Sequence, residues 1–342
     1  MKSATPAPTN AVIETEIENP TDLNDNDTPV QEPVEEETLE GMDNITQSNE
    51  QTSTSTDTDN KSGNSSELFT YDASKPMNLQ ELSSEETPDG VTIREISYDA
   101  YDPSLNPVGI IDAYMVMPKG EGPFPCILYF HWLGSSNSNK KEFLEEATAL
   151  AEQGIAGLLI DGVFPWKQKP TELIKDKAMV VYQVIEVSRA LDYITTLPDI
   201  DPERIGYVGH DYGSMFGAVL SGIDKRISNY IFIAGMGNFT DWFVRYWPHR
   251  DEGGNLLDEA GKENYRLEMV DLDPVNYIKD AAPASIFFQF ANTDSFITKE
   301  MADEFYEAAS SPKEVKFYDG EHEMDSEQAR LDREEWLIDN LK

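Results

Sequence analysis

The chain contains 342 residues, of which 65 are Asp or Glu and 26 are Lys or Arg, giving a formal net charge of −39 at pH 7. Because this charge repels phosphate backbones and anionic lipid surfaces, a nucleic-acid partner is not expected. No apolar stretch approaches the roughly 18 residues of a membrane span, so the sequence predicts a soluble chain without one.

The composition changes sharply near residue 70. Residues 1–66 contain no aromatic side chain, and fifteen acidic residues accompany only two lysines there. Such a segment cannot bury enough apolar surface to offset the entropy of ordering. We therefore predict a disordered acidic tail or linker over residues 1–70 and one folded domain over residues 71–342. The tail also fits an exported or surface-tethered protein whose leader has been removed, so the compartment stays open.

The folded part alternates strand and helix patterns. Two segments that alternate apolar and polar residues flank a turn, which predicts an antiparallel start of a sheet. Six short apolar runs follow, with segments between them long enough for crossover helices, as is typical of a mostly parallel sheet. Strands are thus expected at 91–98, 109–117, 126–131, 155–161, 205–210, 227–234, 284–290 and 314–318. Helices are expected at 140–153, 176–196, 214–221, 299–310 and 325–341. The sequence therefore predicts an α/β three-layer sandwich, with Gly154 ending the first helix and Asp325 capping the last.

Between residues 235 and 283 this alternation stops. An aromatic-rich stretch with Trp242, Tyr246 and Trp247 precedes a run rich in Gly, Asp and Glu. Open α/β sheets bind ligands beyond the carboxyl ends of their strands, and insertions there shape the pocket. We expect an insertion over this edge whose aromatic side chains either line a substrate pocket or pack down for stability.

The pentapeptide Gly209-His-Asp-Tyr-Gly213 has the pattern of a nucleophile elbow with an aspartate in the nucleophile position. Such a turn needs a strand before it, a helix directly after it, and glycines two residues to either side of the nucleophile. The short apolar run before Gly209 and the helical pattern after Gly213 meet these requirements, and the glycines avoid Cβ clashes. The pattern predicts that Asp211 is presented on a sharp turn, with His210 packed beside it.

Two more candidates for chemistry follow in the chain. Asp294 lies just after one predicted strand, and His322 lies just after the last. A covalent hydrolase needs a nucleophile, a histidine to activate the attacking group or water, and an acid to orient that histidine. Because Asp211, Asp294 and His322 occur in the order nucleophile, acid, histidine, we predict that they converge as the catalytic group.

Residues 131–134 end the first central strand, where backbone N–H groups can face a reacting oxygen. We predict an oxyanion hole made by the amide of Tyr212 together with that of Trp132 or Leu133. His131 is expected to support this loop beside the pocket rather than to act as a base.

Metal and cofactor sites are not expected. The four histidines lie far apart, and neither Cys-x-x-Cys nor His-Glu-x-x-His spacing occurs. Cys126, the single cysteine, lies within an apolar run and is expected to be a buried, inert thiol. A small-molecule substrate is the partner that remains, while the oligomeric state is open.

Residues 91–342 resemble α/β-hydrolase-fold proteins of the dienelactone hydrolase and acetyl-esterase-like group, which are related to prolyl-oligopeptidase-like hydrolases. Four motifs carry the resemblance: Pro123-Phe-Pro-Cys-Ile-Leu-Tyr-Phe-His131; Ala147-x-x-Leu-Ala-Glu-Gln-Gly-Ile155 leading to Leu159-Ile-Asp161; Asp201-Pro-Glu-Arg-Ile-Gly-Tyr-Val-Gly-His-Asp211; and Ser311-Pro-Lys-Glu-Val-Lys-Phe-Tyr-Asp-Gly-Glu-His322. The resemblance implies that the Ser or Cys nucleophile of the group corresponds to Asp211, its acid to Asp294 and its histidine to His322. Elsewhere in the superfamily, epoxide hydrolases and haloalkane or fluoroacetate dehalogenases have aspartate at this position.

An aspartate nucleophile changes the chemistry that is accessible. Attack by a carboxylate on an ester carbonyl gives a high-energy mixed anhydride, whereas attack on a saturated carbon gives an alkyl ester that activated water can cleave. The indole or hydroxyl groups of Trp132, Trp242, Tyr246 or Trp247 could hold a departing halide or protonate an opening epoxide. Three hypotheses follow: a hydrolase with an Asp nucleophile for epoxides, halides or activated esters; an esterase-like hydrolase using Asp211 and His322 as general bases; and a non-catalytic binding module.

Overall fold

The computed structural model describes residues 65–134, 139–164, 171–246, 249–251 and 253–342. Of the tail predicted over residues 1–70, residues 1–64 lie outside the described residues. Trp247 also lies outside them. A 3-10 turn at Ser65–Phe69 begins the described part, and Phe69 is buried against the ring of Tyr277.

A nine-stranded sheet forms the centre of the domain, in the order β1-β2-β3-β5-β4-β7-β8-β10-β11. Its strands are β1 (Gln80–Glu86), β2 (Thr92–Asp99), β3 (Ile110–Met117), β4 (Phe124–Phe130), β5 (Ala156–Ile160), β7 (Ile200–His210), β8 (Asn229–Ile233), β10 (Ser285–Ala291) and β11 (Lys313–Tyr318). The short strands β6 (Thr171–Glu172) and β9 (His249–Arg250) pair separately. Strands β1, β2 and β3 pair antiparallel, and β3 joins β5 antiparallel. Six strands, β5 among them, are parallel to one another. The predicted antiparallel start and mostly parallel sheet are confirmed.

Helices cover both faces of this sheet. They are α1 (Leu144–Glu152), α2 (Leu173–Thr196), α3 (Tyr212–Ile223), α4 (Phe239–Tyr246), α5 (Glu259–Met269), α6 (Val275–Ile278), α7 (Lys299–Ala308) and α8 (Glu327–Leu341). Successive residues of β4 alternate between two hydrophobic cores, because side chains of a strand point to opposite faces. Leu128 packs into the core that contains α2 and α3, and Ile127 packs into the core that contains α1 and α8. The three-layer sandwich is confirmed.

Two local predictions differ from the structure. Strand β1 was not expected, because Leu82 is its one strongly apolar residue and every residue in it is exposed. The expected cap of the last helix, Asp325, is wrong: the hydroxyl of Ser326 accepts the N–H of Ala329, and α8 begins one residue after this cap. Gly154 follows the end of α1 with φ at 88°, the left-handed conformation expected of a glycine there.

The predicted insertion over residues 235–283 lies between β8 and β10 and contains α4, α5 and α6. Helix α4 buries Phe239, Trp242 and Phe243. The indole N–H of Trp242 donates to the hydroxyl of Tyr212, the residue that follows the predicted nucleophile. The insertion therefore covers the carboxyl end of β7. No helix within the described ranges is long and apolar enough to cross a membrane.

Candidate active site

Parallel strands bring the predicted site residues to one edge of the sheet. Strands β4, β7, β10 and β11 end at residues 130, 210, 291 and 318, and a predicted site residue follows each of them. These residues are His131 after β4, Asp211 after β7, Asp294 after β10 and His322 after β11. Because the four strands run in the same direction, their carboxyl ends meet at one edge.

The turn around Asp211 has the geometry of a nucleophile elbow. Asp211 has φ at 52° and ψ at −112°, a conformation that few residues with a side chain adopt, and α3 begins at the next residue. A Cβ on Gly209 would lie 2.4 Å from the backbone of Gly213, and a Cβ on Gly213 would lie 2.3 Å from the carbonyl oxygen of Phe130. Glycine at 209 therefore allows α3 to lie this close to β7, and glycine at 213 allows α3 to approach the end of β4.

Asp211, His322 and Asp294 lie close together at this edge of the sheet. The Nδ1 atom of His322 lies 2.8 Å from Oδ2 of Asp294, and its Nε2 atom lies 3.9 Å from Oδ1 of Asp211. The second distance is longer than a hydrogen bond. The other oxygen of Asp294, Oδ1, accepts the N–H groups of Phe296 and Ile297 at 2.7 and 2.9 Å. The acid is thus fixed by the backbone and in turn fixes the imidazole.

Burial and neighbouring charges shift the pKa values of these groups. Asp211 is 2% exposed, and desolvation raises the pKa of its carboxyl to about 6, although the charges of His322 and His210 oppose the rise. Desolvation lowers the pKa of His322, but the hydrogen bond with Asp294 and the charge of Asp211 outweigh it and raise that pKa above its ordinary value. Desolvation likewise raises the pKa of Asp294, but its contact with His322 brings it below the ordinary value. Asp294 is therefore ionised at neutral pH.

The two oxygens of Asp211 have different surroundings. Oδ2 accepts the backbone N–H of Leu133 at 3.2 Å, and the backbone N–H of Tyr212 also interacts with the carboxyl. Oδ1 is buried and has no hydrogen-bond partner among the described residues. The backbone N–H of Trp132 donates instead to Oε2 of Glu142 at 2.8 Å. Of the two amides considered from the sequence, Leu133 is the one directed at Asp211.

Glu142 is a site residue that the sequence does not reveal. Its Oε1 lies 2.7 Å from Nδ1 of His210, and Nε2 of His210 lies 3.0 Å from the carbonyl oxygen of His322. Glu142 follows no strand, and it lies 68 residues before His210. Neither its position nor a motif signals this pairing.

Aromatic rings surround the imidazole of His322. The ring centroids of Phe296, Trp132 and Trp242 lie 5.0, 5.9 and 6.1 Å from that of His322. The indole N–H of Trp242 donates to Tyr212, and the hydroxyl of Tyr246 donates to the carbonyl of Phe296 at 3.1 Å. In this arrangement the donors of Trp242 and Tyr246 are engaged by the protein, so these two residues form walls of the site.

His131 connects the loop after β4 to the loop after β5. Its Nδ1 donates to the carbonyl of Trp132 at 2.7 Å, and its Nε2 accepts the N–H of Gly162 at 2.8 Å. A cavity of about 290 Å³ lies beside these loops and extends to Leu133. Its other walls include Val108, Ile111, Asp112, Asp161 and Phe164.

The remaining reactive groups do not enlarge the site. Cys126 is fully buried in β4, and desolvation raises the pKa of its thiol to about 12, so it remains protonated at neutral pH. Within the part of the chain that the structure describes, no group of three or more His, Cys, Asp or Glu residues could hold a metal ion.

Comparison with known proteins gives a partial sequence match and extensive structural matches. The chain matches no protein-family model. The sequence matches YtaP of Bacillus subtilis (strain 168), a protein named for an inferred hydrolase activity. The two sequences are 31% identical over 134 residues, which make up 34% of this chain and 45% of YtaP. The match thus spans less than half the length of this relative.

Solved structures match most of the chain. Acetyl xylan esterase 1 from Thermoanaerobacterium sp. JW/SL YS485 has a TM-score of 0.63 at 14% identity, covering 81% of this chain and 92% of that one. The acetyl xylan esterase from Paenibacillus sp. R4 has a TM-score of 0.61 at 20% identity, with coverage of 82% and 92%. With the strand order and the turn at Asp211, these matches establish that the chain has the α/β-hydrolase fold.

Proposed function

We propose that this chain is a hydrolase in which Asp211 forms a covalent alkyl ester with a small organic substrate. The observation that carries the proposal is that the two carboxylate oxygens of Asp211 have different hydrogen-bond partners. Oδ2 is held by the amide of Leu133, whereas Oδ1 has no hydrogen-bond partner among the described residues and faces Nε2 of His322. An oxygen with free lone pairs, buried beside an imidazole, is suited to nucleophilic attack.

In the first step, a lone pair on Oδ1 of Asp211 forms a bond to a saturated carbon of the substrate. The bond from that carbon to its leaving group breaks, and the electron pair departs with a halide, or with an epoxide oxygen that takes a proton from solvent. The product is a neutral alkyl ester of Asp211. Because burial raises the energy of the carboxylate, losing its charge in this step is favourable.

In the second step, water attacks the carbonyl carbon of this ester while Nε2 of His322 takes its proton. Asp294 stabilises the imidazolium that forms. Negative charge then develops on Oδ2, where the N–H of Leu133 stabilises it. The tetrahedral intermediate collapses and the departing alkoxide takes the proton from the imidazolium of His322. Asp211 is left as a protonated carboxyl, which loses its proton to solvent through neutral His322, and the carboxylate is restored.

The relatives support the broad class and leave the substrate open. YtaP is named for an inferred hydrolase activity, and the two structures described above are acetyl xylan esterases. The sequence resemblance to the dienelactone hydrolase and acetyl-esterase-like group agrees with this class. Because Asp211 stands where the dienelactone hydrolase and acetyl-esterase-like group has Ser or Cys, an epoxide or an alkyl halide is the proposed substrate of the covalent route. An activated ester is the proposed substrate if Asp211 and His322 act as general bases.

A single-turnover reaction in heavy-oxygen water tests the proposal. The native chain, in excess, is mixed with styrene oxide or a primary bromoalkane, and separately with 4-nitrophenyl acetate as a probe of direct attack by water. The peptide containing Asp211 is then analysed by mass spectrometry. With the epoxide or the bromoalkane, we expect the heavy oxygen to enter the Asp211 carboxylate, because water attacks the ester carbonyl and the product receives its oxygen from Oδ1. Label found in the product alone would instead support direct attack by water, with Asp211 and His322 as general bases.

The pH dependence of the two steps should differ. Formation of the alkyl ester should fall as the pH drops through about 6, because only ionised Asp211 is a nucleophile. Hydrolysis of the ester needs neutral His322, whose pKa is raised, so this step should fall at a higher pH. Alkylation removes the charge of Asp211, which is one cause of that rise, and so assists deprotonation of His322. Quenched-flow measurement of both rates from pH 4.5 to 8.5 checks this order, and two coincident profiles would contradict it.

A further inference from the structure

Glu142 joins three separate parts of the candidate site through one carboxylate. Its Oε2 accepts the N–H of Trp132 at 2.8 Å, and its Oε1 lies 2.7 Å from Nδ1 of His210. The other ring nitrogen of His210 lies 3.0 Å from the carbonyl oxygen of His322. The loop that carries Leu133, the turn that carries Asp211 and the loop that carries His322 are therefore tied together.

The hydrogen bonds of His210 define where protons must lie. A carbonyl oxygen only accepts, so Nε2 of His210 must carry a hydrogen to bond with His322. A bond between Nδ1 and the Glu142 carboxyl then requires a second proton, on one group or the other. The ring of His210 is 2% exposed and stacks on Trp132, with centroids 5.2 Å apart and planes 12° apart. Burial and this stacking restrain the ring of His210.

We propose that Glu142 and His210 are positioning residues for the hydrolysis of the covalent ester, an inference that rests on the proposed function. His210 fixes the backbone of His322, which activates water. Glu142 fixes the amide of Trp132, and with it the adjacent amide of Leu133 that faces Oδ2 of Asp211. Neither residue is placed to touch the substrate carbon.

The two chemical steps depend on this positioning to different degrees. While the alkyl ester forms, negative charge leaves the Asp211 carboxylate, so the hydrogen bond from Leu133 weakens and offers no advantage to the transition state. During hydrolysis, charge builds on Oδ2 and water must be aligned with His322, so small displacements of Leu133 or His322 are costly. A misplacement of about 1 Å can cost about 100-fold in rate. Loss of the pair should therefore slow hydrolysis selectively.

Glutamine at position 142 is the conservative replacement that can preserve the links. Its amide oxygen can accept the N–H of Trp132, and its amide NH₂ can donate to Nδ1 of neutral His210, whose Nε2–H still bonds the carbonyl of His322. Alanine can do neither. Glu145→Ala is the matched control. Glu145 is an exposed acid three residues from Glu142, and its replacement by alanine removes the same charge.

The experiment compares the native chain with Glu142→Ala, Glu142→Gln and Glu145→Ala. The probe is the compound that the native chain turns over in the heavy-oxygen experiment. Rapid quench and intact-mass measurement give the rates of adduct formation and adduct loss. We expect Glu142→Ala to slow adduct loss by about 10- to 100-fold with adduct formation unchanged. Glu142→Gln should recover most of the rate, and Glu145→Ala should match the native chain.

Other outcomes separate this inference from the proposed function. If Glu142→Ala slows both steps equally, or slows neither, the pair has no specific positioning role although the covalent route stands. If the native chain turns over 4-nitrophenyl acetate but neither the epoxide nor the bromoalkane, the covalent route is wrong. In that case, a lower kcat for Glu142→Ala at unchanged KM, together with rescue by Glu142→Gln, supports the positioning role. If kcat does not fall in this way, the positioning role is overturned. A native chain that hydrolyses no probe contradicts both proposals.

Discussion

Asp211→Asn should reduce steady-state turnover by a factor on the order of 10⁴ or more, as removal of a covalent nucleophile does in other hydrolases. The neutral amide oxygen is a poor nucleophile, and it cannot form the alkyl ester that the second step requires. Asparagine tolerates a positive φ better than most residues, so the turn itself should persist. Turnover of the probe and intact mass after one equivalent are the measurements, with no adduct expected.

The stability of the same variant is the control for folding. The pKa of Asp211 is about 6 in the folded chain against an ordinary value of 3.8, so ionising this buried acid opposes folding. The loss of unfolding free energy caused by this ionisation is absent below about pH 3.8 and grows as the pH rises to about 6. Above about pH 6 it is complete and amounts to at most about 3 kcal/mol. Asp211→Asn should therefore have a higher free energy of unfolding at pH 7.5 and a similar one near pH 4. Denaturant titration at both values checks this.

Two results would contradict this account. Undiminished turnover by Asp211→Asn would remove Asp211 from the mechanism and favour His322 acting alone on water. Lost turnover together with lower stability at pH 7.5 would mean that the carboxylate supports the fold, so the loss could not be assigned to chemistry. A slow gain of activity with a mass increase of one dalton would show that the amide hydrolyses back to aspartate, which itself requires an activated water beside this residue.

The sequence is most informative where the chemistry depends on local spacing. The turn needs glycine at residues 209 and 213 for reasons set within five residues, so the pattern is visible without a structure. The order of Asp211, Asp294 and His322 is also visible, because each follows its own strand. Parallel strands then bring them to one edge, as the hydrophobic runs predict.

What the sequence does not indicate depends on contacts between distant residues. Glu142 pairs with His210 across the fold, and no periodicity or motif marks that contact. Nor does the sequence distinguish the amide of Trp132, which bonds Glu142, from that of Leu133, which bonds Asp211. Such choices follow from the path of a loop, which is determined by packing rather than by residue type.

The largest effect after loss of the nucleophile is expected for His322→Gln, which should separate the two steps. Glutamine cannot accept the proton of the attacking water, so steady-state turnover should fall by about 10²- to 10⁴-fold. The first step needs no base, so the variant should still form one equivalent of alkyl ester and then stall. Asp294 stays satisfied in this variant, because it accepts the amides of Phe296 and Ile297 and can accept the glutamine NH₂.

Intact-mass spectrometry of His322→Gln after mixing with an epoxide or a bromoalkane should therefore reveal a stable adduct. Its mass should be that of the whole epoxide, or that of the alkyl group of the bromoalkane. Peptide mapping should locate it at Asp211. The double variant Asp211→Asn with His322→Gln is the matched control and should carry no adduct, because it lacks the attacking Oδ1. If His322→Gln forms no adduct while the native chain turns over the same probe, His322 must act before any covalent bond forms. Asp211 and His322 would then serve direct attack by water, and the free Oδ1 of Asp211 would be a base rather than a nucleophile.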